Sequence, residues 1–86
     1  MPELSRFYGL VISINWVDHN PPHFHVRYAG SDAAIAIRRM ELLSGNLPNR
    51  ALNLALEWAA MHQEELLENW ERARNQTPTS RIAPLD

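Results

Sequence analysis

The sequence predicts a small α+β domain, in which an antiparallel meander sheet of three to four strands packs one face against a single long C-terminal helix. Between residues 7 and 38, apolar and polar residues alternate, which is typical of strands with one buried face. Between residues 48 and 75, apolar residues recur every three or four positions, which is typical of an amphipathic helix. With 86 residues, 45% of them hydrophobic, the chain is predicted to form one domain at residues 1–76, followed by a tail at 77–86.

Three runs of alternating residues define the predicted strands, which cover residues 7–17, 23–28 and 33–38, with a short fourth strand or irregular segment at 40–43. The first strand directs one set of side chains inwards, namely Leu10, Ile12, Ile14 and Trp16, so Trp16 is predicted to lie in the core. The loop 18–22 contains two prolines and should be stiff. In the second strand Phe24 and Val26 point inwards, while His23, His25 and Arg27 point to the other face.

Strand parity constrains the register, because a slip of one residue would move a strand's apolar side chains onto the polar face. The odd residues of the first strand and the even residues of the third must therefore lie beside the two histidines. The outer face then carries Val11, Ser13 and Asn15 on one side of the histidines, and Ala34 and Ala36 on the other. Two small alanines should leave a shallow depression that can accept a substrate, a metal ion or another protein.

The predicted helix is long for the domain. From residue 48 to 75 it would measure about 42 Å at ~1.5 Å per residue, whereas a compact chain of this length is only about 30 Å across. The helix must overhang, kink near His62-Gln63, or pack against a second copy, and we favour the overhang or the second copy. Trp58 is predicted to lie in the core, and Trp70 beyond the cover of the sheet.

Composition excludes several classes of function. The chain has no cysteine, which rules out disulfides and thiolate metal sites. No apolar run approaches the roughly 20 residues that span a bilayer, and Met1-Pro2-Glu3 does not begin a signal peptide, so a soluble cytoplasmic protein is expected. The net charge is −2 and there is no lysine, which argues against general nucleic-acid binding.

The segment from Asp18 to His25, with the sequence DHNPPHFH, holds three of the four histidines and is the main candidate site. His23 and His25 lie two apart on a strand, with Cα atoms about 7 Å apart, so their rings can share a divalent ion. His19 or Asp18 could add a third ligand, and zinc, nickel or manganese are the candidate metals. Alternatively, Asp18 and His19 merely cap the turn, and the other two histidines are exposed on the sheet.

Two further hypotheses need no metal. His23 and His25 could act as general acid and base, with Arg27 stabilising an oxyanion or phosphate, as in RNA cleavage. In the other hypothesis, the histidine face or the helix around Trp70 binds a protein partner or a second copy. Candidate binding residues are Asn15 on the histidine face, Trp70, and Arg50 in the first helical turn, where an arginine opposes the helix dipole. Arg50 could contact Asp18 or an acidic partner, or have no role.

Several segments carry a family resemblance, namely residues 5–12, 18–25, 47–52, 57–59, 64–70 and 82–85. Together they resemble a bacterial family of small uncharacterised proteins, domain-of-unknown-function family 4160; Tyr8 and Leu10 depart mildly from its usual residues. The resemblance implies a kind of domain but no established activity. Family members are often encoded beside a second uncharacterised family, numbered 2442, an arrangement similar to a toxin–antitoxin module. We therefore expect an interaction component of such a two-gene module, with a metal- or histidine-dependent hydrolase or nuclease as the alternative.

Overall fold

The computed structural model describes residues 2–86 and confirms an α+β fold. Five antiparallel strands form one sheet in the order β1-β2-β3-β4-β5, so the meander connectivity is confirmed. The strands are β1 (Glu3–Phe7), β2 (Leu10–Ser13), β3 (His23–Tyr28), β4 (Ser31–Ala36) and β5 (Leu42–Gly45), and two helices follow, α1 (Asn49–Met61) and α2 (Gln63–Arg74). No helix within the described residues is both long and apolar enough to cross a membrane.

The sheet has more strands than predicted because residues 3–7, which precede most of the first predicted strand, form a strand of their own. Tyr8 and Gly9 both have positive φ, +47° and +83°, which is the backbone geometry of a tight two-residue hairpin turn. The turn separates β1, which was not predicted, from β2. A further strand does follow β4, but it lies at Leu42–Gly45, two residues later than the predicted segment 40–43.

The predicted register is confirmed. Ser13 pairs with His25 across β2 and β3, and His25 pairs with Ala34 across β3 and β4. Phe24 and Val26 are buried on the opposite face. The two histidines therefore lie on the face of the sheet that does not bear the main hydrophobic core.

The core lies between the inner face of the sheet and α1. The ring of Trp58 packs 5.3 Å from that of Phe7 and 6.1 Å from that of Phe24. Ala51, Ala55 and Ala59 are fully buried on the same helix, and their small side chains allow close approach to the sheet. The predicted core position of Trp58 is confirmed.

The prediction of one long helix is wrong, because the helical segment breaks at His62, where a kink was one of the three predicted alternatives. There φ is −125° and ψ is 27°, and α2 begins at the next residue. The side chain of Gln63 donates to the carbonyl of Ile37 at 2.8 Å and to that of Arg38 at 3.2 Å, which ties the break to the sheet. The helix therefore does not overhang, and Trp70 is buried, with 1% of its surface exposed.

The predicted core position of Trp16 is also wrong, since 46% of its surface is exposed. Regular pairing in β2 ends at Ser13, and Trp16 and Val17 form a turn. Val17 has φ +50°, which is unusual for a β-branched residue. Its backbone N–H donates to the carbonyl of Ala73 on α2, at 3.3 Å, so the turn is fastened to the second helix.

The tail at 77–86 packs on the domain. The N–H of Ile82 donates to the carbonyl of Leu4 on β1 at 2.8 Å, and Ile82 is only 4% exposed. The indole N–H of Trp58 donates to the carbonyl of Ala83 at 2.8 Å. Asn69 accepts from the N–H of Ser80 at 2.7 Å and donates to its carbonyl at 3.0 Å. The tail thus covers the β1 edge of the sheet.

Candidate metal centre

Three side chains of the predicted motif meet in space: Asp18, His23 and His25. Their ligand atoms all lie within 4.8 Å of one another. The two imidazoles come from alternate residues of β3 and pack edge to face, with ring centroids 5.0 Å apart. The carboxylate comes from the loop between β2 and β3. We call these three residues the triad.

The loop fixes the orientation of the Asp18 carboxylate. Oδ1 accepts the backbone N–H of His19 at 2.8 Å, and Oδ2 accepts the side-chain amide of Asn15 at 3.2 Å. Val17, immediately before Asp18, has a positive φ that fixes the direction in which the backbone enters the loop. Such a strained φ costs about 1–3 kcal/mol. Held in this way, Oδ2 lies against the two histidine rings.

The same contacts keep Asp18 ionised at neutral pH. Burial acts to raise the pKa of its carboxyl group, because a charged group is less stable away from water. The hydrogen bonds that the carboxylate accepts from the His19 amide and the Asn15 amide, together with the two neighbouring histidine rings, outweigh burial and lower this pKa below its ordinary value.

The ring of His23 is held from two sides. Its Nδ1 lies 2.8 Å from the carbonyl oxygen of Pro21, which can only accept, so Nδ1 carries a proton. The indole of Trp70 packs against the ring with centroids 5.1 Å apart, and only 12% of the His23 side chain is exposed. In the neutral ring Nε2 is then the unprotonated nitrogen, and it lies 2.9 Å from Asp18 Oδ2.

His25 presents a second ring nitrogen, Nε2, to the same point. The side-chain amide of Asn15 lies 3.1 Å from its Nε2, which accepts this N–H when the proton of the neutral ring is on Nδ1. The same Nε2 lies 3.4 Å from Asp18 Oδ2. Two ring nitrogens and a carboxylate oxygen thus direct lone pairs towards one another. Such an arrangement is stable only with a cation between them, which is either a proton or a metal ion.

The two separations between the carboxylate oxygen and the ring nitrogens fit a shared metal ion. Two ligands bonded to zinc at ~2.05 Å are about 2.9 Å apart at a bond angle of 90° and about 3.3 Å apart at the tetrahedral angle. The observed separations from Asp18 Oδ2 are 2.9 Å and 3.4 Å. Two imidazoles and one carboxylate also form the ligand set of open zinc sites and of non-haem iron sites.

Not every predicted site residue joins the triad. His19 is exposed, and its backbone N–H rather than its ring contacts Asp18, so the structure does not support it as a ligand. Arg50 is exposed and forms no ion pair with Asp18 in the part of the chain that the structure describes. Trp70 is buried against His23 and presents no surface to a partner. Asn15, predicted as a binding residue, instead bridges Asp18 and His25.

A cleft of about 270 Å³ adjoins the triad on the outer face of the sheet. This outer-face cleft is lined by Glu3, Val11, Ser13, Asn15, His25, Val26, Arg27 and Asp32. It lies on the β2 side of the histidines, not over Ala34 and Ala36, which are themselves buried. Glu3 was not predicted to lie here because β1 was not predicted, although Tyr8-Gly9 is a sequence typical of a turn.

The comparisons with curated proteins and with solved structures found no match. A family model described as "Domain of unknown function (DUF4160)" matches residues 9–71. That range includes the triad, Asn15 and the break at His62, so the match covers the centre described above as well as most of the fold. The chain therefore belongs to the DUF4160 family.

Proposed function

We propose that the protein binds one divalent transition-metal ion through the triad and uses it as a hydrolytic centre. The observation that carries this proposal is the meeting of two ring nitrogens, Nε2 of His23 and Nε2 of His25, with Asp18 Oδ2 at 2.9 Å and 3.4 Å. A metal ion satisfies all three lone pairs at once. A single proton lies between only two of them.

The ligand number suits catalysis. Three protein ligands leave at least one position for water, and zinc lowers the pKa of such a water to about 7. A water bound there would supply a hydroxide nucleophile near neutral pH, and the outer-face cleft offers a neighbouring space for substrate. Nitrogen and oxygen ligands should bind zinc and nickel more tightly than manganese.

Calorimetric titration of metal-free protein tests the binding step. We expect one zinc ion per chain, with affinity reduced at least 10-fold in His23→Ala and in His25→Ala. His19→Ala is the matched control, because it removes a histidine of the same loop whose ring is outside the triad, and it should bind zinc as the wild type does. No binding of zinc, nickel or manganese, or an equal loss in His19→Ala, would contradict the proposal.

Hydrolysis of p-nitrophenyl esters and phosphate esters tests the catalytic step. Zinc-loaded wild type should release nitrophenol, and a chelator or the His25→Ala substitution should abolish the release. Activity that survives the chelator but is lost in His23→Ala and His25→Ala would instead support metal-free acid–base catalysis by the histidines. No release above that of free zinc would refute a hydrolytic role for these esters.

Binding to a protein partner is the second candidate function, within a two-gene, toxin–antitoxin-like module. It is supported by large apolar side chains that are exposed beside the triad loop and on β5: Trp16 and Val17, and Leu42 and Leu43. Such side chains commonly anchor partners. Co-expression with the neighbour-encoded small protein should yield a complex that Trp16→Ala weakens. If the two proteins elute separately and light scattering gives a monomer, this candidate is excluded.

A further inference from the structure

We propose that the outer-face cleft binds a small phosphate ester, with its phosphoryl group held between the metal ion and Arg27. This inference rests on the proposed metal site. Arg27 follows His25 by two residues on the same face of β3, so the two lie about 7 Å apart along the strand, and both line the cleft. One phosphoryl group can span the space between a metal on His25 and the guanidinium of Arg27.

One contact orients the Arg27 side chain and leaves its terminal nitrogens available to a ligand. Its Nε donates to Asp32 Oδ1 at 3.1 Å, across the β3–β4 pair. The side chain is 67% exposed, and its two terminal nitrogens make no hydrogen bond within the described residues. A guanidinium fixed through Nε presents its remaining donors as a planar fork, which matches the oxygens of a phosphate.

The charges around the cleft favour an anion once a metal is bound. Glu3 is paired with Arg6 at 2.8 Å and with Arg81 at 3.0 Å, and Asp32 is paired with Arg27. The remaining carboxylate, Asp18, belongs to the triad. Glu3 and Asp32 are already paired, and Asp18 offsets one charge of a divalent ion, so one positive charge is in excess and raises the local concentration of anions.

The volume of the cleft limits the size of the ligand. Its volume of about 270 Å³ lies just below the range of about 300–1,000 Å³ that is typical of small-molecule sites. A phosphorylated metabolite no larger than a mononucleotide fits this volume. Hydrolysis would form a P–O bond from the metal-bound water and break the ester P–O bond, and one proton of the water would end on the released alcohol.

Titration of inorganic phosphate into protein preloaded with one zinc ion tests the inference, with acetate as the comparison anion. We expect phosphate to bind at least 10-fold more tightly than acetate, and to bind much more weakly to metal-free protein. Arg27→Ala should weaken phosphate binding by about 10- to 100-fold and leave zinc affinity unchanged. Arg38→Ala is the matched control, since it removes an exposed arginine of the turn after β4 and should change neither affinity.

The outcomes separate this inference from the metal site itself. If zinc binds through the triad but Arg27→Ala holds phosphate as tightly as the wild type, the phosphate inference is wrong and the metal site stands. Acetate that binds as tightly as phosphate would also overturn it. If zinc does not bind, both proposals fail together.

Discussion

The substitution Asp18→Asn separates a metal centre from a purely structural hydrogen-bond network. Asparagine has nearly the same shape but no charge, and its amide N–H can donate to the unprotonated nitrogens of His23 or His25. The metal-free variant should therefore fold, with a modest loss of stability from the missing charged hydrogen bonds. Zinc binding should fall at least 100-fold, because the one anionic ligand of the triad is gone.

The size of the zinc-dependent rise in Tm follows from the free energy with which bound zinc stabilises the folded state. Free zinc at about 100 times its dissociation constant stabilises the wild type by ~2.7 kcal/mol, which raises Tm by about 10–20 °C in a domain of this length. A 100-fold weaker site gains only about 0.4 kcal/mol at the same zinc concentration, so Tm should rise by about 2–3 °C.

Thermal unfolding followed by circular dichroism, with and without zinc, measures both shifts. Asp32→Asn is the control, because it neutralises a carboxylate that is exposed and outside the triad, and it should keep the full zinc-dependent rise. An equal rise in Asp18→Asn and the wild type would refute the assignment of Asp18 as a ligand.

Three further predictions concern the fold. Trp70→Ala should destabilise the protein by about 3–5 kcal/mol, because Trp70 is 1% exposed; a loss below about 1 kcal/mol in urea unfolding would contradict its burial. Gly45→Ala should destabilise the protein far more than Gly30→Ala, although both glycines have positive φ. A Cβ at Gly45 would lie 2.1 Å from the Asp32 carbonyl oxygen, whereas a Cβ at Gly30 would meet nothing within 4 Å. Equal urea midpoints for the two variants would contradict this prediction. Hydrogen bonds from Arg6 and Arg81 lower the pKa of Glu3 below its ordinary value of 4.5. The stability that these hydrogen bonds add is therefore fully present above pH 4.5 and is lost as the pH falls through the lowered pKa. The urea midpoints of wild type and Glu3→Gln should therefore differ near neutral pH and converge in acid, and a difference that grows in acid would reverse the sign.

The sequence predicted which face of the sheet each residue occupies better than it predicted where the chain turns. Alternation places Phe24 inside and the histidines outside because side-chain direction in a strand has a period of two. The same alternation runs on through Trp16, although pairing has ended at Ser13, because period alone does not say where a strand stops.

The break at His62 was one of the predicted alternatives but was not favoured, because a periodic pattern also does not show where a helix stops. The apolar stripe continues through both helices, and neither proline nor glycine marks the interruption. The contacts that hold it, from Gln63 to the carbonyls of Ile37 and Arg38, join residues distant in sequence. In the same way, spacing left Asp18 and His19 as equal candidates for the third ligand, and only the conformation of the loop distinguishes them.

The second helix, α2, which the break at His62 creates, also supports the triad. Because the helical segment breaks, α2 reaches the start of β3, where Trp70 packs against His23 and the carbonyl of Ala73 accepts the N–H of Val17, next to Asp18. One helix therefore steadies both a ring and the loop of the triad. Side chains that orient metal ligands typically contribute 10- to 100-fold to affinity, so Trp70→Ala should weaken zinc binding in protein that remains folded. Gly45→Ala, which disturbs the far edge of the sheet, should lower stability and leave zinc affinity unchanged. If both variants bind zinc as the wild type does, α2 contributes to folding alone.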